Sequence, residues 1–355
     1  MLRSNRHGCR YHEFTSSGNR FLSLENDVLK LTFWLNKGAD LIEIRHKAKD
    51  IDVLWRSPTP MPAAGTYISP ANPAPGSFFD YYPGGWQEVF PNAHTPTNEY
   101  KRAPLGLHGE VCLLRWDYAV LEHSEDCLSI VLSVSTVRTP FHLEKKVTLR
   151  RGLPFFVFDE RVTNNGNEEM HYTWGHHPVF GAPFVQKGCV IDTPKKSVAV
   201  VPESKTPNCR FAGGTYESWP QLQTIQGGME DASVILDEHY GTADTYYVRP
   251  TAGWAALRNP ELDLGVGLVW DLAAFPYLWM WHCYSGNHGY PFYSRNYNIG
   301  LEPYSVPIQA LHEAVKDGNA TVIAAGHSHS TRLLFTFTQG KQQINGISTD
   351  GHVMV

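Results

Sequence analysis

The sequence predicts an all-β protein, a large antiparallel β-sandwich, and three observations carry that reading. Short runs of alternating or β-branched residues recur along the whole chain, with turn chemistry between them. Helical periodicity is weak, and 24 Pro and 30 Gly would interrupt most longer helices. The connections between neighbouring runs are too short to hold the crossover helices that parallel strands require.

The runs are Val28 to Trp34, Ala39 to Arg45, Cys127 to Val137, Phe141 to Leu149, Phe155 to Val162, Met170 to Trp174, Gly265 to Trp270 and Thr331 to Thr338. Arg151-Gly152 separates two of them and Asn164-Asn165-Gly166-Asn167 the next two, as expected of antiparallel hairpins. Within Phe141 to Leu149, Phe141, Leu143, Val147 and Leu149 alternate with His142, Glu144, Lys146 and Thr148, which predicts one buried and one wet face. Lys145 breaks the alternation and is read as a bulge. Ile308 to Lys316 is the best helical candidate. Ser57 to Pro104 is rich in Pro, Gly, Ala and Asn, and loops that long are more often functional than not, so this one is expected to shape a site. No linker, charge block or repeat divides the chain, and residues 1–355 are read as a single domain.

At 355 residues, 42% hydrophobic and 18% charged, the chain can bury a sizeable core. Thirty Lys and Arg against 35 Asp and Glu give a net charge of -5, without the basic excess that nucleic-acid phosphates demand, so no nucleic-acid partner is expected. No window approaches the ~20 apolar residues of a membrane span, and Met1 to Phe14 lacks an apolar signal core. The expectation is a cytoplasmic protein with no membrane partner. The six cysteines are scattered with no CxxC pair, which removes zinc ribbons and dithiol redox motifs. The aromatic load, 10 Trp, 17 Tyr and 17 Phe, needs an explanation.

Four polar constellations stand out. Gly84 to Asn92 reads GGWQEVFPN: paired glycines permit close backbone approach, and Trp86, Gln87, Glu88 and Asn92 offer a flat face with polar groups, which suits a sugar or an ordinary glycine turn. Leu105 to Glu110 holds His108 between glycines at a strand entrance. Trp174 to Phe180 contains His176 and His177, which point opposite ways in an extended chain, so one at most faces a given pocket. Its spacing lacks the HExxH pattern of a zinc site, and no metal is expected. Asn298 to Tyr304 holds Glu302 between Leu and Pro after an aromatic stretch, where lost solvation would raise its pKa and strengthen it as a base. Two histidines and a glutamate, each beside Gly or Pro, fit acid and base work on a polyol.

In these residues the sequence resembles the aldose 1-epimerase (galactose mutarotase-like) family. The likeness starts at Leu22 to Asp27 and Ala39 to Ile44, with the Gly38-Ala39 turn. It continues through LGLHG at Leu105 to Gly109, HPxF at His177 to Phe180 and LEP at Leu301 to Pro303, covering nearly the whole chain. The resemblance implies a β-supersandwich with a carbohydrate cleft on one sheet. It implies His177 as general acid toward the ring oxygen, Glu302 as general base toward the anomeric hydroxyl, and His108 as the group that holds and polarises the sugar. Asp244, with Asp231 and Asp237 nearby, best matches an Asp that binds sugar hydroxyls. Galactose-type members carry an Asn-Arg pair where this chain has Trp86-Gln87-Glu88, which argues against galactose or glucose as preferred substrates and leaves Gln87, Glu88 or Asn92 as replacements.

The expected function is therefore a cofactor-independent mutarotase that interconverts the α and β anomers of a hexose or modified hexose. The rival expectations are a non-catalytic sugar-binding or sensor protein on the same fold, and an epimerase for a phosphorylated or sulfonated sugar. The last would need a cation near the pocket, for which Lys101, Arg102 and Arg295 are the candidates. The stretch Pro276 to His282 is expected either to stack on a sugar or to fill the core.

Overall fold

The computed structural model describes residues 7–68, 77–203 and 206–355. Residues 1–6 of the leader reading and residues 69–76 of the Pro-rich loop fall outside the described residues. Among the described residues, most strands belong to two antiparallel sheets, one of twelve strands and one of eight. The larger runs in the order Arg10–Ser16, Asn19–Glu25, Leu29–Trp34, Asp40–His46, Trp86–Val89, Gly175–Gly181, Tyr297–Tyr304, Tyr277–Tyr284, Thr242–Arg249, Val198–Val201 and Gly214–Tyr216, with Ile51–Asp52 added beside Asp40–His46. The smaller runs Val190–Asp192, Trp254–Asn259, Leu264–Trp270, Ser328–Thr338, Phe155–Asn164, Phe141–Arg150, Cys127–Ser135 and Asp117–His123.

Inward-facing side chains of the two sheets meet in one aromatic and aliphatic core. Trp86 of the larger sheet packs on Phe158 and Phe335 of the smaller at ring separations of 5.4 and 6.4 Å, and Phe33 meets Phe158 at 6.5 Å. This is the sandwich the alternating runs predict. All eight runs form strands, within a few residues of the expected ends. The helical candidate is shorter than expected, Leu311–Lys316.

Lys145 does not mark a bulge. Phe141–Arg150 pairs with both neighbours without a register shift, and burial alternates straight through Lys145. The side chain faces the core because acids wait for it there: its ammonium contacts Glu88, and Glu160 at 3.3 Å. All six cysteines are buried, and none of them is joined in a disulfide. No helix among the described residues is long and apolar enough to cross a membrane.

Candidate active site

Strand register assembles the site. Gln87 pairs opposite His177. The pairs Gly175 with Tyr304 and Val179 with Gly300 set His177 opposite Glu302, and Glu302 pairs opposite Trp279. A single row, Gln87, His177, Glu302, Trp279, thus crosses four strands on the face of the larger sheet turned away from the core. Their sequence neighbours Trp86, Glu88 and His176 point into the core, as the two-residue period of a strand requires.

Over this row lies a cleft of about 460 Å³ lined by His108, His177 and Glu302. The Pro-rich loop contributes Phe78, Phe79, Tyr82 and His94, the strands contribute Trp279, Trp281 and Thr245, and the connection after Tyr284 contributes Asn287, Tyr290 and Phe292. A mostly apolar wall with a few converging polar groups is the usual make-up of a small-molecule pocket.

His177 Nε2 lies 3.5 Å from Glu302 Oε1, and its Nδ1 lies 3.4 Å from the Tyr82 hydroxyl. The His108 ring sits 4.9 Å from the His177 ring and 4.3 Å from Phe78. Two glycines make this closeness possible. A Cβ on Gly300 would fall 2.3 Å from Glu302 Oε1, so the carboxyl rests where another residue would carry its side chain. A Cβ on Gly109 would stand 2.2 Å from the Phe90 carbonyl oxygen, so only glycine lets His108, itself at φ +60°, descend into the cleft.

Burial sets the electrostatics. It pushes the Glu302 carboxyl well above its usual range, takes His177 down to about 3, and holds His108 well below an ordinary histidine. Among the described residues, Glu302 Oε1 and His108 Nδ1 have no hydrogen-bond partner, and both keep bonding capacity toward the cleft. Groups buried beside a pocket with displaced pKa values are the usual mark of acid and base chemistry.

The three residues carrying the expected chemistry thus come together, while most of the expected binding residues do not. Asp244 is fully buried on the other face of its strand: its neighbours Ala243 and Thr245 line the cleft, and its carboxylate accepts the Arg210 backbone N–H at 2.9 Å and Nε–H at 2.8 Å. Trp86 lies between the sheets and donates to His176 Nδ1 at 3.2 Å. Glu88 belongs to the core cluster with Lys145, Trp174 and His176. Asn92 is a loop staple, donating to the Thr95 and Gly106 carbonyls at 2.9 and 2.8 Å and accepting the Leu311 N–H. Gln87 shares the His177 row but is fully buried, its amide donating to Asp40 Oδ2 at 3.0 Å.

The sequence reading missed Tyr82, His94, Asn287 and Thr245. Tyr82 and His94 lie in the flagged Pro-rich loop, where composition pointed to the segment and not the residue. In the aromatic stretch both readings hold by turns: Trp279 and Trp281 line the cleft, while Leu278, Met280 and His282 are buried on the opposite side.

Among the described residues, Glu88, Glu160 and His176 form the one group of three ligand-type side chains close enough for a metal, within 4.8 Å of one another. It lies on the core side, and the Lys145 ammonium already sits against both acids. None of the expected cations lines the cleft. Lys101 pairs with Glu168 at 2.7 Å, Arg102 is exposed, and Arg295 donates to the Phe292 carbonyl at 3.1 Å.

Residues 16–337 match the family described as a domain of unknown function, DUF4432. The chain belongs to the DUF4432 family. No curated protein matches its sequence. Solved structures carry the fold further. A protein from Klebsiella pneumoniae proposed to be an aldose 1-epimerase aligns with this DUF4432 chain at a TM-score of 0.69 and 14% identity, covering 94% of this chain and 85% of that one. A galactose mutarotase-like protein from Clostridium acetobutylicum aligns at 0.63 and 11%, covering 94% and 99%. A galactose mutarotase related enzyme from Lactobacillus acidophilus aligns at 0.55 and 15%, covering 94% and 99%. This chain therefore has the galactose mutarotase-like β-sandwich fold.

Proposed function

We propose that the protein is a mutarotase-type isomerase that interconverts the α and β anomers of a neutral hexose or modified hexose by general acid and base catalysis. The observation that carries the reading is the Glu302 and His177 pair, 3.5 Å apart and buried under an aromatic cleft with His108 beside it. Glu302 takes the anomeric hydroxyl proton while His177 gives a proton to the ring oxygen, and the bond between the anomeric carbon and that oxygen breaks. The open-chain aldehyde turns about its first carbon-carbon bond. Reversed transfers then close the ring from the other face. His108 hydrogen-bonds the sugar at the anomeric end.

The two roles need one proton shared by the pair. Burial places it on the Glu302 carboxyl at rest, and a shift across to Nε2 produces the carboxylate base and imidazolium acid together. Each group contributes roughly 10² to 10⁴ in rate. Trp279, Trp281 and Phe292 supply planes for the sugar's apolar faces. The mostly aromatic and uncharged lining supports a neutral substrate over a phosphorylated or sulfonated one.

Anomer exchange measured by NMR at catalytic enzyme concentration, over neutral, phosphorylated and sulfonated sugars, tests the reading. Glu302→Gln keeps the shape and should lose at least a hundredfold in kcat/KM while sugar binding persists. Binding without exchange by the unaltered protein would leave a sugar-binding protein instead. Galactose should be a poor substrate, because no arginine fork occupies the Trp86 to Glu88 segment. Galactose as the best sugar of the panel would refute that part alone.

A further inference from the structure

We propose that Tyr82 is a positioning residue that fixes the tautomer of His177, an assignment that rests on the isomerase reading above. The His177 imidazole is held between two oxygen groups, with Nε2 toward Glu302 at 3.5 Å and Nδ1 toward the Tyr82 hydroxyl at 3.4 Å. A neutral imidazole carries one proton, and the hydrogen bond made by one nitrogen decides the state of the other.

The state follows from the surroundings. Burial keeps His177 neutral and keeps a proton on the Glu302 carboxyl. For Glu302 to hand its proton to Nε2, as the isomerase reading requires, that nitrogen must be bare, and the ring proton then stands on Nδ1. There the Tyr82 oxygen accepts it. With Nδ1–H anchored, Nε2 is free to take a proton from Glu302 and pass it to the ring oxygen. A third group that orients a catalytic histidine through its far nitrogen is the same logic that operates in hydrolase triads.

The position of Tyr82 is itself firmly set. Its ring is 2% exposed, stacks on Phe78 at 5.0 Å, leans on Trp55 at 5.8 Å and meets His177 edge-on at 5.7 Å. Directly after Pro83 the chain dives back to the sheet through Gly84 and Gly85, at φ +81° and +82°. A Cβ at these positions would stand 2.4 Å from the Trp55 carbonyl oxygen and 2.6 Å from that of Leu41. The paired glycines therefore do allow close backbone approach, but to the neighbouring segments at Trp55 and Leu41, and its effect is to bring Tyr82 over His177.

Nitrogen-15 NMR of the histidine rings reads the tautomer without any substrate. The expected result is a neutral His177 in the Nδ1–H form, and Tyr82→Phe should mix the two forms. The same variant keeps the ring packing and should lower kcat about tenfold or more, with KM changed less than about threefold, since ring orientation and not sugar contact is lost. An Nε2–H tautomer in the unaltered protein would overturn the proposal. So would a Tyr82→Phe variant with unchanged tautomer or unchanged kcat. If no sugar is epimerised the isomerase reading fails on its own, and the NMR result still decides whether Tyr82 sets the ring.

Discussion

Burial raises Glu302 and lowers His177, so on the isomerase reading the pair holds one exchangeable proton between them over a wide pH range. His177 gains a second proton only near pH 3, and the pair gives up its shared proton only above the raised value of Glu302. The enzymatic kcat/KM is therefore expected to be level through the acid range and to fall up to tenfold per pH unit on the alkaline side, once spontaneous exchange is subtracted. A rate that climbs through the alkaline range would contradict the shared proton. At this scale the sequence was legible where a residue type and its neighbours already imply chemistry. His108, His177 and Glu302 stand beside Gly or Pro, in places where a backbone turns or a carboxyl loses water. Tyr82 was not legible, since one tyrosine among 17 differs from the rest only by where its loop lands.

Strands decide which neighbours of those residues reach the cleft, and a shift of one position reverses the outcome. Asp244 lies off the cleft for that reason alone: Thr245 faces the cleft and Asp244 faces Arg210. The alternation in Phe141 to Leu149 is readable and correct, yet Lys145 looks like a defect in sequence because its partners lie on other strands. Burial and Glu160 raise Glu88, while Lys145 and His176 oppose this. Removing the ammonium should leave these acids uncompensated, and Lys145→Met is expected to cost about 3–5 kcal/mol in chemical denaturation. Adding Glu88→Gln should recover part of that loss. The kcat of the folded variant should change less than about threefold, since the cluster sits on the core side of the sheet. Unaltered stability in Lys145→Met would show that the cluster is not held by charge.

At the scale of the whole molecule, the two sheets share one core through Trp86, Phe158 and Phe335, and we expect residues 1–355 to melt as a single domain. Calorimetry should give one transition with equal calorimetric and van't Hoff enthalpies; two resolved transitions would divide the chain. The sandwich was legible because each strand writes its period locally. The order of strands was not, because pairing across long stretches of chain leaves no local trace. That order has a consequence for timing. Gln87, His177 and Glu302 come from the first, middle and last thirds of the chain, and Ser328–Thr338, inside the smaller sheet, follows all of them. Such long-range pairings form slowly and only after their distant partners exist. A chain that has not yet added Ser328–Thr338 carries Gln87, His177 and Glu302 without the complete smaller sheet that backs them. The candidate site is expected to assemble in one late step, when the last strands close the sandwich.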